Sequence, residues 1–284
     1  MMSVPFSVVG GFLGAGKTSW INQLLADPQG VRYGVLVNDF GDLAIDASLL
    51  QGDKRQVVPL DNGCACCSAG GDLAAGIGRL QALGMQHIVL ECSGVALPGR
   101  LVNLAKIAND LTPHATISLI NAQTLDELLV DQWMADTYVK QLQDGGQLLV
   151  NRLSDGHSIA SLDGRLATAN IQKKVALQAA MSPAEWLAQP VGTRQFVATH
   201  DTQAISTTSL QARDLKQAQA WAQQAAAHKG IYRLKGFVKD ADKVWLLQVV
   251  GKDIAITQVL KQFNTDQLGL VVIGARDAVA EMSI

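Results

Sequence analysis

The octapeptide Gly11-Phe12-Leu13-Gly14-Ala15-Gly16-Lys17-Thr18 directly follows the apolar run Val4 to Val9 and spells G-x-x-x-x-G-K-[ST]. An apolar strand that empties into such a loop and then into a helix constrains the fold more than any other stretch of the chain. Glycines let successive backbone N–H groups curl around a phosphate, Lys17 has the reach for β/γ oxygens, and Thr18 offers a hydroxyl to Mg²⁺. The helix that opens at Lys17 carries an apolar face in Trp20, Ile21, Leu24 and Leu25 and turns its positive dipole end toward a bound anion. Gly11, Gly14, Ala15, Gly16, Lys17, Thr18 and Ser19 are therefore the candidate nucleotide contacts. A Gly-rich segment can also be a plain turn; the strand before it and the helix after it favour the phosphate-binding reading.

Further apolar runs suited to buried parallel strands recur at Gly34–Val37, His87–Glu91, Thr116–Ile120 and Gln147–Val150. Helical patterns lie between most of them, at Lys17–Leu25, Gly71–Leu83, Arg100–Ala108 and an irregular region Thr124–Leu142. Gln56–Pro59 adds a short edge strand. This alternation predicts an α/β fold, a doubly wound, mostly parallel sheet of the P-loop type. Past Asn151 the pattern weakens; Asn170–Ala180 and Pro183–Ala188 read as helices, and the Thr/Ser-rich Thr199–Ser209 reads as a linker. The domain boundary falls near Gly192–His200, giving residues 1–192 and 193–284. The second part reads as a smaller α+β domain with a helix at Ala212–His228, strands at Ile231–Val238, Val244–Val250 and Leu268–Ile273, and a helical or turn-rich Ile256–Phe263.

With 284 residues, 48% of them apolar, the chain is long enough for a real core without disulfide or metal staples. Its 23 basic and 25 acidic side chains nearly cancel, so charge offers nothing to nucleic acid or to an anionic membrane. The uncharged stretch Met1 to Gly16 lacks a basic n-region and ends in the phosphate loop, which makes it a buried strand instead of a signal peptide. No window supplies the roughly 18 apolar residues of a membrane span. A cytoplasmic protein is expected.

Three of the four cysteines crowd into Cys64-Ala65-Cys66-Cys67, too close together for a disulfide framework. Behind Asn62-Gly63, three thiolates can converge on one soft or borderline ion and leave a ligand position open; buried inert thiols are the alternative. Cys92, in a strand-like run, reads as a small core residue. Glu91 follows three apolar residues at a strand end, where a carboxylate is costly to bury unless a cation lies near. It serves either the Mg²⁺ and attacking water or the cap of the next helix. Gly94, in Glu91-Cys-Ser-Gly94, lets backbone approach the γ-phosphate. Asp39 and Asp42, in Asn38-Asp-Phe-Gly-Asp42, follow the second strand, where such proteins place a phosphate-sensing loop. Either of them ligates a metal such as Mg²⁺, positions water, or meets the ordinary fate of an Asp-Gly turn beside Gly41, with Asp39 the candidate for Mg²⁺.

Taken together, Gly10-Gly-Phe-Leu-Gly-Ala-Gly-Lys-Thr18, Asn38-Asp-Phe-Gly-Asp42, Gly63-Cys-Ala-Cys-Cys67, Glu91-Cys-Ser-Gly94 and Leu234-Lys-Gly-Phe-Val238 resemble the CobW-type metal-chaperone GTPases, relatives of the urease and hydrogenase maturation GTPases. The resemblance covers most of the chain. It implies GTP as substrate with Mg²⁺, Zn²⁺ or Co²⁺ as cargo on Cys64, Cys66 and Cys67, catalytic roles for Lys17, Glu91 and Asp39, and a C-terminal domain for metal transfer to a client metalloprotein. A homodimer is allowed, and neither nucleic acid nor membrane is implied as partner. One motif departs from the family: N-K-x-D becomes Asn151-Arg152-Leu153-Ser154, which keeps the asparagine and replaces the carboxylate that pairs with the guanine edge. By analogy with bidentate base reading, that loss is worth about 1–3 kcal/mol of discrimination. Asn151 and Arg152 remain the candidate base contacts, and guanine against adenine stays open. So do two other activities: a nucleotide- or metal-binding adaptor with little hydrolysis, and a P-loop small-molecule kinase, although no Arg-rich lid segment stands out.

Overall fold

The computed structural model describes residues 3–37, 56–60, 70–102, 111–153, 158–189, 205–259 and 268–282. The chain divides into two compact units, whose described residues end at 189 in the first and begin at 205 in the second. The boundary read at 192/193 lies outside the described residues.

In the first unit, strands β1 (Val4–Gly11), β2 (Tyr33–Val37), β3 (Val57–Pro59), β4 (His87–Glu91), β5 (Leu111–Asn121), β6 (Gln147–Asn151) and β7 (Val175–Leu177) form one sheet in the order β3-β2-β4-β1-β5-β6-β7. Every neighbouring pair in it is parallel. The apolar runs are continuous because both faces are covered. On one face Phe6, Val8, Ile88 and Leu90 pack with Leu73, Ile77 and Leu80 of the helix Gly70–Ala82. On the other, Val9, Val35, Val89, Ile117 and Leu119 pack with Trp20, Ile21 and Leu24 of the helix Lys17–Ala26 and with Trp186 and Leu187 of Pro183–Ala188. The central strand β1 lies between β4 and β5; the connection after β1 runs toward β2 and the one after its neighbour β5 runs toward β6, in opposite directions. Open α/β sheets bind ligands at such a switch point, beyond the carboxyl ends of the strands.

Several expectations are corrected. Thr124–Leu142 is two helices, Leu125–Leu129 and Ala135–Asp144, and a helix at Ile159–Thr168 fills the stretch where the pattern weakened. Asn170–Ala180 is not a helix: it contains β7 and a single 3-10 turn, Gln178–Ala180, because Val175–Leu177 pairs with Leu148–Val150. The helix expected at Arg100–Ala108 starts earlier, at Pro98, and is described as far as Val102.

The second unit is an antiparallel sheet of β8 (Ile205–Leu210), β9 (Ile231–Asp240), β10 (Lys243–Val250), β11 (Asp253–Val259) and β12 (Gly269–Ala275), in the order β11-β10-β9-β12-β8. The helix Leu215–Ala227 lays Ala218, Ala222 and Ala225 on Leu234, Leu247 and Val272, and the helix Arg276–Met282 adds Ala278 and Val279 to the same core. Asp214 caps the first of these, accepting from the Gln217 N–H at 2.7 Å. Here too expectations are corrected. The described end of the expected linker, Ile205 to Ser209, belongs to β8, and Ile256 to Val259 belongs to β11 instead of a helix or turn. Among the described residues no helix is long and apolar enough to cross a membrane.

Candidate functional site

β1 runs into the glycine loop at Gly11, where φ is +133° and a Cβ would lie 2.5 Å from the Leu119 carbonyl oxygen of β5. Only glycine fits both constraints. The loop turns by a bond from the Ala15 N–H to the Phe12 carbonyl at 3.1 Å and enters the helix Lys17–Ala26 through Gly16, left-handed at φ +92°. Gly14 also has positive φ, and Ser19 sits exposed in the first helical turn. No acidic side chain occupies that turn, so the positive helix end keeps its attraction for an anion.

Lys17 is buried, and its Nζ donates to the Gly11 carbonyl at 2.8 Å and to the Phe12 carbonyl at 3.2 Å. The ammonium is thus folded back over the rim of the loop. Beside it, Thr18 Oγ1 donates to Glu91 Oε1 at 3.0 Å. Glu91 ends β4 in register with Val9 of β1 and Val37 of β2 and is only 3% exposed. A hydroxyl and a carboxylate that meet beside the phosphate loop form an all-oxygen donor set, which suits a small hard cation such as Mg²⁺.

Gly94 is also at the loop, and the space its Cβ would need is taken by Leu13, at 2.4 Å from Cδ2 and 2.9 Å from the backbone nitrogen. Its missing side chain therefore lets the segment after β4 lie directly on the phosphate loop. Across the sheet, β6 ends at Asn151, whose Nδ2 donates to the Ala15 carbonyl at 2.8 Å and to Gln178 Oε1 at 2.8 Å. Arg152 follows, exposed and left-handed at φ +52°, a conformation uncommon for a non-glycine residue. Lys17, Thr18, Glu91, Gly94 and Asn151 thus converge on the carboxyl ends of β1, β4 and β6. Asp39, Asp42, Cys64, Cys66 and Cys67 lie outside the described residues, as do Ser154 and Asp155.

Cys92, next to Glu91, is fully buried, and burial pushes its thiol up to about 12, which makes it an inert core residue. Gln178 was missed in the sequence because it lies within the stretch misread as a helix; once β7 is recognised, the residue after its end is the natural neighbour of Asn151. Tyr138, Gln141 and Asp144, on the helix Ala135–Asp144, also reach the loops of the site and carried no motif to mark them.

Comparison with known proteins agrees with this arrangement. Residues 5–176 match the family described as CobW/HypB/UreG, nucleotide-binding domain, and residues 202–282 match the cobalamin synthesis protein cobW C-terminal domain. The zinc chaperone CobW of Sinorhizobium sp is 34% identical over 130 residues, 42% of this chain and 37% of its own length. The zinc chaperone YjiA of Escherichia coli (strain K12) is 27% identical over 186 residues, 62% of this chain and 57% of its own length. Another from the same organism, the zinc chaperone YeiR, is 25% identical over 270 residues, 84% of this chain and 75% of its own length. For the first two, the chain spans less than two thirds of the relative. With its family match extending over residues 5–176, the chain belongs to the CobW/HypB/UreG family.

Proposed function

We propose that the protein binds and hydrolyses GTP and couples the bound nucleotide to the handling of zinc or cobalt for a client metalloprotein, in the cytoplasm, as a monomer or a homodimer. The observation that carries this reading is the meeting of Thr18 with Glu91 beside the glycine loop and Lys17, at the switch point of a parallel sheet. The zinc-chaperone names of the relatives support the metal half of it.

The loop amides from Gly11 to Gly16 and the N-terminus of the helix Lys17–Ala26 cradle the phosphates. Lys17 leaves the Gly11 and Phe12 carbonyls and pairs with the β/γ oxygens, where a fixed positive charge stabilises the transferring phosphoryl group. Thr18, with Glu91 beside it, would hold Mg²⁺, which supplies further positive charge next to the phosphates. Glu91 or Asp39 orients the attacking water. Hydrolysis then acts as a timer. The segment of Asp39 and Asp42 senses the γ-phosphate and changes how Cys64, Cys66 and Cys67 hold their metal.

Base selection is the weakest element of this site. Both Asn151 amide hydrogens are used, on Ala15 and Gln178, and Ser154 stands in place of the family's carboxylate. This favours an adaptor-like second reading, with relaxed base preference and slow turnover. Anaerobic titration with zinc and with cobalt, in the presence of GTP, GDP or an ATP analogue, tests both, with Cys66→Ser as control. Metal affinity that differs between GTP and GDP and falls in Cys66→Ser is expected. Metal affinity indifferent to the nucleotide would overturn the coupling.

A further inference from the structure

The helix Ala135–Asp144 turns three buried side chains toward the site at three-residue spacing, Tyr138, Gln141 and Asp144. Tyr138 packs edge-on against Phe12 of the phosphate loop, with ring centroids 5.6 Å apart. Gln141 Nε2 donates to the Ala96 carbonyl at 2.8 Å and to the Gly94 carbonyl at 3.2 Å. Asp144 Oδ2 accepts from the Gly99 N–H at 2.6 Å. One helix edge therefore grips the phosphate loop once and the segment after Glu91 three times.

Gln141 holds the middle of that segment. It is fully buried, and two carbonyl acceptors dictate which end of its carboxamide faces the segment. Its Oε1 has no hydrogen-bond partner among the described residues. Burying such a group costs stability that a leucine at the same place would not. What the carboxamide supplies is the fixed height of Gly94 and Ala96, and Gly94 is the residue that rests on Leu13 of the phosphate loop.

We propose that Gln141 is a positioning residue for hydrolysis: by holding the Gly94 and Ala96 carbonyls it fixes the segment that follows Glu91 against the phosphate loop, and so sets turnover without touching nucleotide. This rests on the hydrolytic reading above. Misplacing a reacting group by about 1 Å costs up to roughly a hundredfold in rate.

The test uses the full-length protein with Gln141→Leu and Gln141→Met, which keep bulk and lose both donors, and Gln141→Glu. The first two lower kcat for GTP about tenfold, with KM within about twofold of wild type. Gln141→Glu donates only when protonated, so its kcat acquires an alkaline limb that wild type and Gln141→Leu lack. Hydrogen exchange, read by mass spectrometry without nucleotide, accelerates in all three variants over residues 93–99 and not across the central strands. Wild-type kcat in Gln141→Leu and Gln141→Met overturns the proposal. So does a uniform loss of protection with kcat falling and KM rising, the mark of a merely structural residue. If the wild type hydrolyses no GTP, the hydrolytic reading fails and takes the effect on turnover with it, and the exchange pattern decides separately whether Gln141 fixes the segment: selective acceleration at 93–99 upholds that hold, unchanged exchange there overturns it.

Discussion

Lys17 and His87 are both buried basic side chains, and they answer to opposite demands. Lys17 folds onto two carbonyls, a hold that the proposed phosphate would displace. Lys17→Ala is expected to lower GTP hydrolysis at least about a hundredfold, since a fixed charge beside the transferring group is removed; phosphate release measures it. His87 sits at the start of β4, bonded to Ser7 Oγ at 2.8 Å and flanked by the rings of Tyr33 and His114. Burial, and then the neighbouring His114, lower its pKa from 6.5 to about 3. The unfolded chain therefore binds a proton that the folded chain refuses. Stability is complete above about 6.5 and drains away as pH falls toward 3, with a slope approaching about 1.4 kcal/mol per pH unit from this group alone. Urea denaturation at pH 7, 6 and 5 reads this directly, and His87→Gln is expected to flatten the slope.

The strands that were misread share one property, a place at the rim of a sheet. Among the described residues β7, β8 and β11 each have a single neighbour, whereas β1, β2, β4, β5 and β6, all foreshadowed by apolar runs, lie inside. An interior parallel strand is buried on both faces and must be apolar throughout; a rim strand needs only part of that burial, so its residues resemble those of a loop or helix. Thus Ile205-Ser-Thr-Thr-Ser209 imitates a linker, and Lys173-Lys-Val-Ala-Leu-Gln-Ala-Ala180 has the composition of a helix until pairing with β6 overrides it. The phosphate loop and Glu91 were legible because their chemistry requires particular residue types at fixed places. Gln141 was not, since a glutamine in a helix becomes informative only when its partners, 45 and 47 residues earlier, come within reach. Close strand approach also yields a test at Gly236 of β9, where a Cβ would lie 1.9 Å from the Gly269 carbonyl oxygen of β12. Gly236→Ala is expected to force the two strands apart at a cost of about 3 kcal/mol, measured by chemical denaturation.

Each unit has a core of its own, and only the first contains the glycine loop. Saturation with GTP and Mg²⁺ at about a hundred times Kd is expected to stabilise the nucleotide-binding unit by about 2.7 kcal/mol. Hydrogen exchange followed with and without nucleotide should place that gain in β1, β4 and β5 and leave β9, β10 and β12 unchanged. The central position of β1 has a last consequence, for the chain as it leaves the ribosome. Among the described residues β1 pairs with β4 and β5 alone, so its eight residues wait while roughly 80 more, from Gly11 to Glu91, are made. At about 5–20 residues per second that is roughly 4–16 seconds of exposed apolar strand. Nascent-chain holdases are expected to engage this amino-terminal segment until Glu91 has emerged.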